Sequence, residues 1–399
     1  MSLRARSGKI WGRLGMKFNQ YIMENVLEAI IDYRGKTPRK SPSGITTLSA
    51  KAVKDGYIDY TNCYFISSEE YKRFMVRGFP NIGDVLLTTE APLGNVARLD
   101  RSDIALAQRL LTLRGKDGVL DTGFLYYYLR SPIGQKKLKE RETGTTVTGI
   151  KQSEFRKIEI DIPNYSVQKK IAGILNTIDQ KIILNRKINK NLQAQAQAIY
   201  THLIIDEADE SWHSGLLSDI ATITMGQSPK GDTYNENGTG TVFFQGRAEF
   251  GFRFPTRRLY TTDPKRMAQD NDVLMSVRAP VGDLNVAFED CCIGRGLGAI
   301  HSRDNHQSFV FYTMLALRDQ LDIFNGEGTV FGSINRDALN SMPIRIPPRE
   351  VIDKFENIVS PMDAVIRNNY EESCRLQDIR DSLLPRLMSG EIDISNVDL

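Results

Sequence analysis

The sequence lacks the long apolar run that a membrane-spanning helix requires. Its 399 residues contain no uninterrupted apolar stretch of about 20. Residues 1–16 are basic, and they lack both the apolar segment and the small-residue cleavage site of a secretory signal. The sequence therefore predicts a cytoplasmic protein in which residues 1–22 form an N-terminal tail.

Cysteine and histidine are also scarce, with four of each. The histidines are scattered, and the cysteines lack the C-x-x-C spacing that zinc sites use. Cys291 and Cys292 are adjacent, and because neighbouring cysteines rarely bridge, we expect both to be ordinary core or strand residues. These features predict a reduced protein without a metal site.

A strong charge of either sign is missing. The chain carries 52 Lys and Arg against 49 Asp and Glu, which gives a formal net charge of +3. Proteins that bind nucleic acids usually carry a basic stripe, and this small net charge neither supports nor excludes one. The function must therefore be inferred from how the sequence is organised.

Motifs of several enzyme classes are absent or incomplete. Gly35-Lys36-Thr37 resembles the end of a phosphate-binding loop, but Ile30 stands where that motif needs its first glycine. The alternating glycines at 294–298 do not have the G-x-G-x-x-G spacing of a dinucleotide-binding loop. The Pro347-Pro348 pair is not part of the N-P-P-[FY] sequence typical of amino-methyltransferases. We therefore expect no catalytic site and no cofactor.

The sequence contains an internal duplication. Residues 144–163 read GTTVTGIKQSEFRKIEIDIP and residues 328–347 read GTVFGSINRDALNSMPIRIP, at an offset of 184 without a gap. Residues 84–97, DVLLTTEAPLGNVA, likewise resemble residues 272–287, DVLMSVRAPVGDLNVA. An interval of about 185 residues is too long for a solenoid repeat, so two copies of a whole domain follow each other.

Each copy has the pattern of an α+β domain. Short β-branched and aromatic runs bounded by Gly, Pro, Asn and Asp predict strands at 85–88, 110–113, 158–162, 273–277, 298–301 and 344–346. Helical patterns lie between these strands at 122–129 and 307–318. The predicted fold class is α+β, with two globular domains related by pseudo-two-fold symmetry and joined by two long antiparallel helices.

Those two long helices are predicted from apolar residues that recur at helical spacing after Pro163 and Pro347. Because proline disfavours a helix interior, we expect breaks before Thr177 and at Ser360-Pro361, with long helices over about 177–203 and 361–387. Their apolar seams are too narrow to complete a domain core, so an antiparallel coiled coil is expected, with packing of each helix on its own domain as the alternative. The expected seam residues are Ile171, Ile174, Ile178, Ile182, Asn185, Leu192, Ile199, Met362, Val365, Asn369, Leu376 and Leu383.

The start of the first helix has a distinctive pattern. It reads Q-x-K-I-A-x-I-L-x-x-x-D-x-K-I from Gln168 to Ile182, and in the second copy Ile352 and Val365 replace the glutamine and the second lysine. With the A-P-[LV]-G turn in both copies, this pattern resembles the specificity (S) subunits of type I restriction–modification systems. The resemblance covers residues 23–399 and divides them into target-recognition domains at 23–163 and 206–347 and helical regions at 164–205 and 348–399.

The resemblance implies a definite role. In that family each target-recognition domain reads one half of a split DNA sequence, and the helices set the spacing between the half-sites. Two methyltransferase (M) subunits dock on the helices, restriction (R) subunits join for cleavage, and the S subunit is not catalytic. The two copies differ most in their loops, so the resemblance implies an asymmetric bipartite target. The alternative is a two-headed protein-interaction scaffold with a coiled-coil spacer.

Basic residues in loops, several beside aromatic residues, are the candidate DNA contacts, because arginine and lysine bind phosphates and arginine also binds guanine. These candidates are Arg34, Lys36, Arg39, Lys40, Lys72, Arg73, Arg77, Arg247, Arg253, Arg257, Arg258, Arg278 and Arg295.

Overall fold

The structure is a computed structural model, and it describes residues 16–33, 35–144, 148–326 and 332–397. Within these ranges, no helix is both long and apolar enough to cross a membrane. The chain divides into two compact units. Unit 1 comprises Met1–Leu184 with Glu372–Leu399, and unit 2 comprises Asn185–Glu371.

Unit 1 contains eleven strands and five short helices among its described residues, and it also contains one end of each long helix. The strands are β1 Phe18–Ile22, β2 Leu27–Asp32, β3 Ile45–Leu48, β4 Val53–Lys54, β5 Tyr57–Ile58, β6 Tyr64–Ile66, β7 Val85–Thr89, β8 Leu93–Arg98, β9 Ala105–Leu106, β10 Leu110–Gly115 and β11 Glu159–Pro163. The helices are α1 Met23–Val26, α2 Ser68–Phe74, α3 Thr122–Arg130, α4 Pro132–Lys139 and α5 Gln152–Arg156, and the long helix α6 spans Tyr165–Tyr200.

The strands of unit 1 form one central sheet and smaller sheets around it. The central sheet has the order β2-β10-β7-β8, a second sheet has the order β6-β3-β9, and β4 pairs with β5. β1 pairs antiparallel with β11, from Phe18 opposite Pro163 to Ile22 opposite Glu159. Residues 16–22 are therefore part of the fold, with Met16 and Phe18 buried, and their assignment to a tail was wrong.

Unit 2 repeats these elements. Its strands are β12 His213–Leu216, β13 Ala221–Met225, β14 Tyr234–Asn235, β15 Thr241–Phe244, β16 Leu259–Thr261, β17 Met267–Ala268, β18 Val273–Ser276, β19 Leu284–Val286, β20 Cys291–Ile293, β21 Leu297–Ser302 and β22 Pro343–Ile346. Its helices are α7 Leu217–Ile220, α8 Gln307–Ala316, α9 Arg318–Asp322 and α10 Arg336–Asn340, and the long helix α11 spans Arg349–Met388.

The two units share one topology. The order β13-β21-β18-β19 in unit 2 corresponds to β2-β10-β7-β8 in unit 1, and the pair β12-β22 corresponds to β1-β11. In the second sheets, β15 pairs antiparallel with β16 and parallel with β20, as β3 does with β6 and β9. This agreement confirms the α+β class and the duplication. Cys291 and Cys292 are buried in β20, as expected for ordinary strand residues.

Both long helices are continuous, so the predicted breaks were wrong. α6 runs for 36 residues, about 54 Å at 1.5 Å per residue, and ends in one π-helical turn at Thr201–Asp206. α11 runs for 40 residues through Pro361. Proline removes one backbone hydrogen bond and costs about 3 kcal/mol in a helix interior. Pro361 is exposed, and the buried Val359 and Ile366 on either side hold the helix in place.

Each long helix completes the core of both units. In unit 1, Ile171 and Leu175 of α6 lie in one apolar cluster with Leu384 and Leu387 of α11. In unit 2, a second cluster contains Ala196 and Tyr200 of α6 and, from α11, Ile352, Phe355 and Val359. The expectation that the seams are too narrow to join a domain core was therefore wrong. The helices pack on each other and on the domains as well.

Polar contacts fix the antiparallel register of the helices inside each unit. In unit 2, the Asn189 side chain donates to the Ile366 carbonyl oxygen at 2.9 Å and accepts from Asn369 Nδ2 at 2.8 Å. Asn185 Nδ2 donates to the Asn369 carbonyl oxygen at 3.3 Å. In unit 1, Lys181 Nζ lies 3.2 Å from Glu372 Oε2. Residue numbers rise along α6 as they fall along α11, which is antiparallel pairing.

One expected seam residue lies on the wrong face of its helix. Val365 is 43% exposed, whereas Ile366, one position later, is fully buried. The internal repeat aligns Val365 with the exposed Lys181 and aligns Ile366 with the buried Ile182. The repeat therefore identifies the seam more reliably here than the count of helical spacings does.

Candidate nucleic-acid interface

In unit 1, a basic loop follows β2. Its residues Lys36, Arg39 and Lys40 are exposed, and Arg34 lies outside the described residues. The backbone N–H of Ser41 donates to the Phe65 carbonyl oxygen at 2.8 Å, and the Lys40 ammonium lies 5.0 Å from the centre of the Tyr64 ring. The loop thus packs along β6, and its charged side chains face solvent.

Helix α2 supplies a second group of cations, Lys72 and Arg73, both exposed in its last turn. The Ser67 hydroxyl begins this helix by accepting from the Glu70 backbone N–H at 3.1 Å. The Glu70 carboxylate accepts from the Arg39 backbone N–H at 3.0 Å and from Arg73 Nη2 at 2.6 Å. These contacts lower the pKa of Glu70, with the Arg39 N–H as the larger cause. Glu70 therefore joins the basic loop to α2.

Tyr33 connects both of these elements to Arg77. Its buried ring stacks on Phe74 of α2 at 5.1 Å between centroids. Its hydroxyl accepts from the Arg77 backbone N–H and donates to the Gly78 carbonyl oxygen, both at 2.9 Å. Arg77 Nη1 donates to the Asp32 carbonyl oxygen at 3.0 Å. The structure thus gathers the unit 1 candidates Lys36, Arg39, Lys40, Lys72, Arg73 and Arg77 around α2 and its flanking loops.

In unit 2, three loops meet where β18 ends and β21 begins. The Val277 N–H donates to the Gly296 carbonyl oxygen at 3.0 Å, and the Gly296 N–H donates to the Gln245 carbonyl oxygen at 3.2 Å. These contacts bring together the segments that carry Arg247, Arg278 and Arg295. Arg278 and Arg295 are exposed, and neither has a carboxylate partner within the part of the chain that the structure describes. Arg247 forms an ion pair with Asp283.

Arg257 and Arg258 are exposed but already paired. Arg257 contacts Glu289, and Arg258 Nε donates to Glu249 Oε1 at 3.1 Å. Arg258 Nη1 also lies 3.3 Å from Glu236. A phosphate would have to replace these carboxylates, so these two arginines are weaker candidates than Arg278 and Arg295.

Arg253 does not face solvent. It is 5% exposed, its Nη2 donates to Asp363 Oδ1 of α11 at 2.6 Å, and its guanidinium lies 3.4 Å from the centre of the Phe311 ring. Burial raises the pKa of Asp363, and Arg253 opposes that rise. In this arrangement Arg253 holds the loop before β16 against α11, so its assignment as a DNA contact was wrong.

A further surface cation that the sequence pattern did not reveal is Arg109, which immediately precedes β10. Its backbone has φ +69°, and its half-exposed side chain lies 2.7 Å from Glu90. Strand pairing places Glu90 at the position of Arg278 and Arg109 beside that of Arg295. Superimposing the two copies strand by strand would have found it. The corresponding surface therefore carries an ion pair in unit 1 and, in unit 2, two arginines that have no carboxylate partner among the described residues.

Neither a metal-binding cluster nor a disulfide bond occurs among the described residues. They contain no group of three or more His, Cys, Asp or Glu side chains arranged to hold a metal ion. The four cysteines, all within the described ranges, are free thiols. Exposed cations on loops and helix ends, such as Lys72 in unit 1 and Arg278 in unit 2, provide groups that can bind a polyanion.

Comparisons with known proteins agree with this organisation. The sequence profile described as "Type I restriction modification DNA specificity domain" matches residues 43–194 and 209–377. The putative type I restriction enzyme MjaX specificity subunit of Methanocaldococcus jannaschii is 30% identical, with 93% of each chain covered. The MjaIX specificity subunit of the same organism is 24% identical, with 83% of this chain and 82% of that one covered. The chain belongs to the type I restriction–modification DNA specificity family.

The crystal structure of the type I restriction–modification S subunit from M. genitalium has the same fold. It is 18% identical in sequence, covers 96% of this chain and 99% of its own, and has a TM-score of 0.60. In the present chain, each of the two profile matches contains most of one globular domain and part of the long helix that follows it. The family's repeating element is thus a domain together with its helix.

Proposed function

We propose that this chain is the DNA-recognition subunit of a type I restriction–modification complex, reading a bipartite target with one half-site for each unit. The proposed target-recognition domains are residues 23–163 and 206–347, extended at the N-terminus by β1. The proposed helical regions are residues 164–205 and 348–399. The subunit itself is not catalytic and directs methyltransferase and endonuclease partners.

The observation that carries this proposal is a common scaffold with unlike surfaces. The two central sheets have the same strand order and the same Ala-Pro turn. The cations differ. In unit 1, Lys36 and Arg39 lie on the basic loop and Lys72 lies in the last turn of α2. In unit 2, Arg278 and Arg295 lie next to the ends of β18 and β21. Different side chains on one scaffold suit two different base sequences, so the proposed target is asymmetric.

The long helices are proposed to hold the half-sites at a fixed distance and to receive the partners. Both helices are continuous across the boundary of the two units. Ile183 and Leu184 on α6 and Ile358 on α11 are exposed, although large apolar side chains in a stable helix are normally buried. They are proposed contacts for two M subunits, with R subunits joining the assembled complex.

Methylation mapping tests the proposal. The chain is co-expressed with its cognate M subunit in a host without methylation, and modified bases are mapped across the genome. We expect one bipartite sequence with two unlike halves and a constant gap. Modification scattered without a discrete sequence, or a single continuous site, would contradict the proposal.

The spacing role has its own test. Seven residues are inserted into α6 and seven into α11 at mid-helix, which adds about 10 Å to each and nearly preserves the apolar face. At about 3.4 Å per base pair, the preferred gap should lengthen by roughly three base pairs while both half-site sequences stay the same. The matched control adds the same seven residues after Leu399. An unchanged gap in the helix variant would show that the helices do not set it.

A further inference from the structure

An exposed apolar loop lies beside the basic residues of unit 1. Residues 75–83 lead from α2 towards β7, and Val76, Phe79 and Ile82 in this loop are 67%, 58% and 68% exposed. A group of large apolar side chains that face solvent in one short segment marks a binding surface. We call residues 75–83 the apolar loop.

The base of the apolar loop is fixed at both ends. At its start, Tyr33 binds the backbone of Arg77 and Gly78, and Phe79 packs near Tyr71 of α2, with ring centroids 6.2 Å apart. At its end, the Asn81 N–H donates to the Asp84 carboxylate at 2.8 Å. Asp84 is buried and is held by Arg114 at 2.8 Å. The exposed side chains are therefore presented from a fixed backbone.

The corresponding loop of unit 2 is anchored by an equivalent hydrogen bond, although its sequence differs. The Gln269 N–H donates to the buried Asp272 carboxylate at 2.8 Å, and Asp272 is held by His301 Nδ1 at 2.6 Å. The side chains that precede this anchoring hydrogen bond differ from those of unit 1. Lys265 pairs with Asp263 at 2.7 Å, and Met267 takes the place of Phe79. A conserved anchor with a variable tip is what two readers of different sequences require.

The surroundings of the apolar loop select its partner. Lys72 and Arg73 precede the loop, Arg77 lies within it, and all three are exposed, so a polyanion is drawn to this surface. The phosphate groups of DNA do not make favourable apolar contacts with Val, Phe or Ile side chains. The apolar parts of a DNA duplex are the thymine methyl groups and the faces of base pairs at an opened step.

We propose that the apolar loop reads the unit 1 half-site by packing Phe79 against the apolar surface of the DNA bases, while the flanking cations bind phosphates. This inference rests on the proposed function, and it names the residues by which unit 1 selects its sequence. Val76 and Ile82 add apolar contact from the same loop.

The test uses the complex with its M subunits and a duplex that carries the mapped target. Phe79→Ala should weaken binding to that duplex by about 10- to 100-fold, without changing the slope of affinity against salt, because no phosphate contact is lost. Phe79→Leu should retain most of the affinity. Replacing thymine by deoxyuracil in the unit 1 half-site should reproduce the loss if methyl groups are the contact. A rise in 2-aminopurine fluorescence on binding should appear instead if Phe79 opens a base step.

Two controls keep this result separate from folding and from the proposed function. Tyr57→Ala removes an exposed aromatic residue of unit 1 outside the apolar loop and should leave binding unchanged. Thermal unfolding of Phe79→Ala should match that of the parent, since the side chain is exposed. If a bipartite site is mapped but Phe79→Ala binds it normally, this inference fails and the proposed function stands. If Phe79→Ala instead loses M subunits without DNA, the loop is a protein interface and the inference is overturned.

Discussion

Replacing Arg253 by methionine removes the guanidinium that Asp363 binds while keeping an unbranched side chain of similar length. Asp363 would then keep only neutral donors among the described residues, the Tyr312 hydroxyl at 3.2 Å and the Ser308 side chain, and no cation would balance its charge. Removing one partner of a buried ion pair typically costs about 3–5 kcal/mol. The contact of the guanidinium with Phe311 adds about 0.5–2 kcal/mol. Because Tyr312 remains, we expect a loss of about 3 kcal/mol.

Denaturation measures this loss. In a domain of this size, 1 kcal/mol corresponds to about 2–4 °C, so the melting temperature of unit 2 should fall by roughly 6–12 °C. The double variant Arg253→Met with Asp363→Leu removes both charges and should recover most of the stability. Arg278→Ala is the matched control, since that exposed arginine should change stability by less than about 0.5 kcal/mol.

The pH dependence gives a further check on the same residue pair. Burial raises the pKa of Asp363 above its ordinary value of 3.8, so the folded protein holds this proton more tightly than the unfolded chain. Stability from this group therefore falls as the pH rises from below 3.8 through the folded-state pKa. Without Arg253 this fall should become larger, so the deficit of the variant should shrink in acid. A deficit under 1 kcal/mol, or one that does not vary with pH, would refute a structural role for the pair.

Three other predictions concern the helices, the DNA surface and the thiols. Asn189→Ala removes two hydrogen bonds to α11 and should destabilise unit 2 by about 1–3 kcal/mol in urea titrations, whereas no change would mean that these bonds do not fix the register. Lys36→Ala and Arg39→Ala should each lower the salt slope of DNA binding by about 0.9 without altering the methylated sequence, and an altered sequence would make them base readers. Burial raises the pKa of the Cys63 thiol to about 11, so Cys63 should be alkylated slowly at neutral pH, and rapid alkylation would contradict its environment.

The sequence predicted the central strands well because their signal is local. Apart from Ser276, the runs at 85–88 and 273–277 consist of β-branched or apolar residues, and they form β7 and β18, which are buried on both faces. Helix α3 was also placed within one residue, since Asp121 caps it and Ser131 ends it. Strands of two residues, such as β4 and β9, give no periodic signal and were not predicted.

The failures have a common cause in tertiary packing. Pro361 lies inside a helix because contacts on both sides of it outweigh its local cost. Arg253 looked like the other arginines of its loop, and only the approach of Asp363, 110 residues later, takes it out of solvent. The sequence can therefore suggest which arginines and lysines bind DNA. It cannot distinguish a cation that faces solvent from one that is buried in an ion pair between two elements.

The composition of unit 1 has a consequence for how the chain folds during synthesis. Unit 2 is one continuous segment, whereas unit 1 needs Glu372–Leu399 as well as Met1–Leu184. Leu387 and Ile394 share a cluster with Met16 and Phe18, so the two extremities of the described chain meet in one core. Most of unit 1 is therefore synthesised first, but its core cannot be completed until residues 372–399 have been made. Unit 2 can fold before that point, because it is one continuous segment. Premature termination that removes the last 28 residues, 372–399, would therefore damage unit 1 and leave most of unit 2 intact.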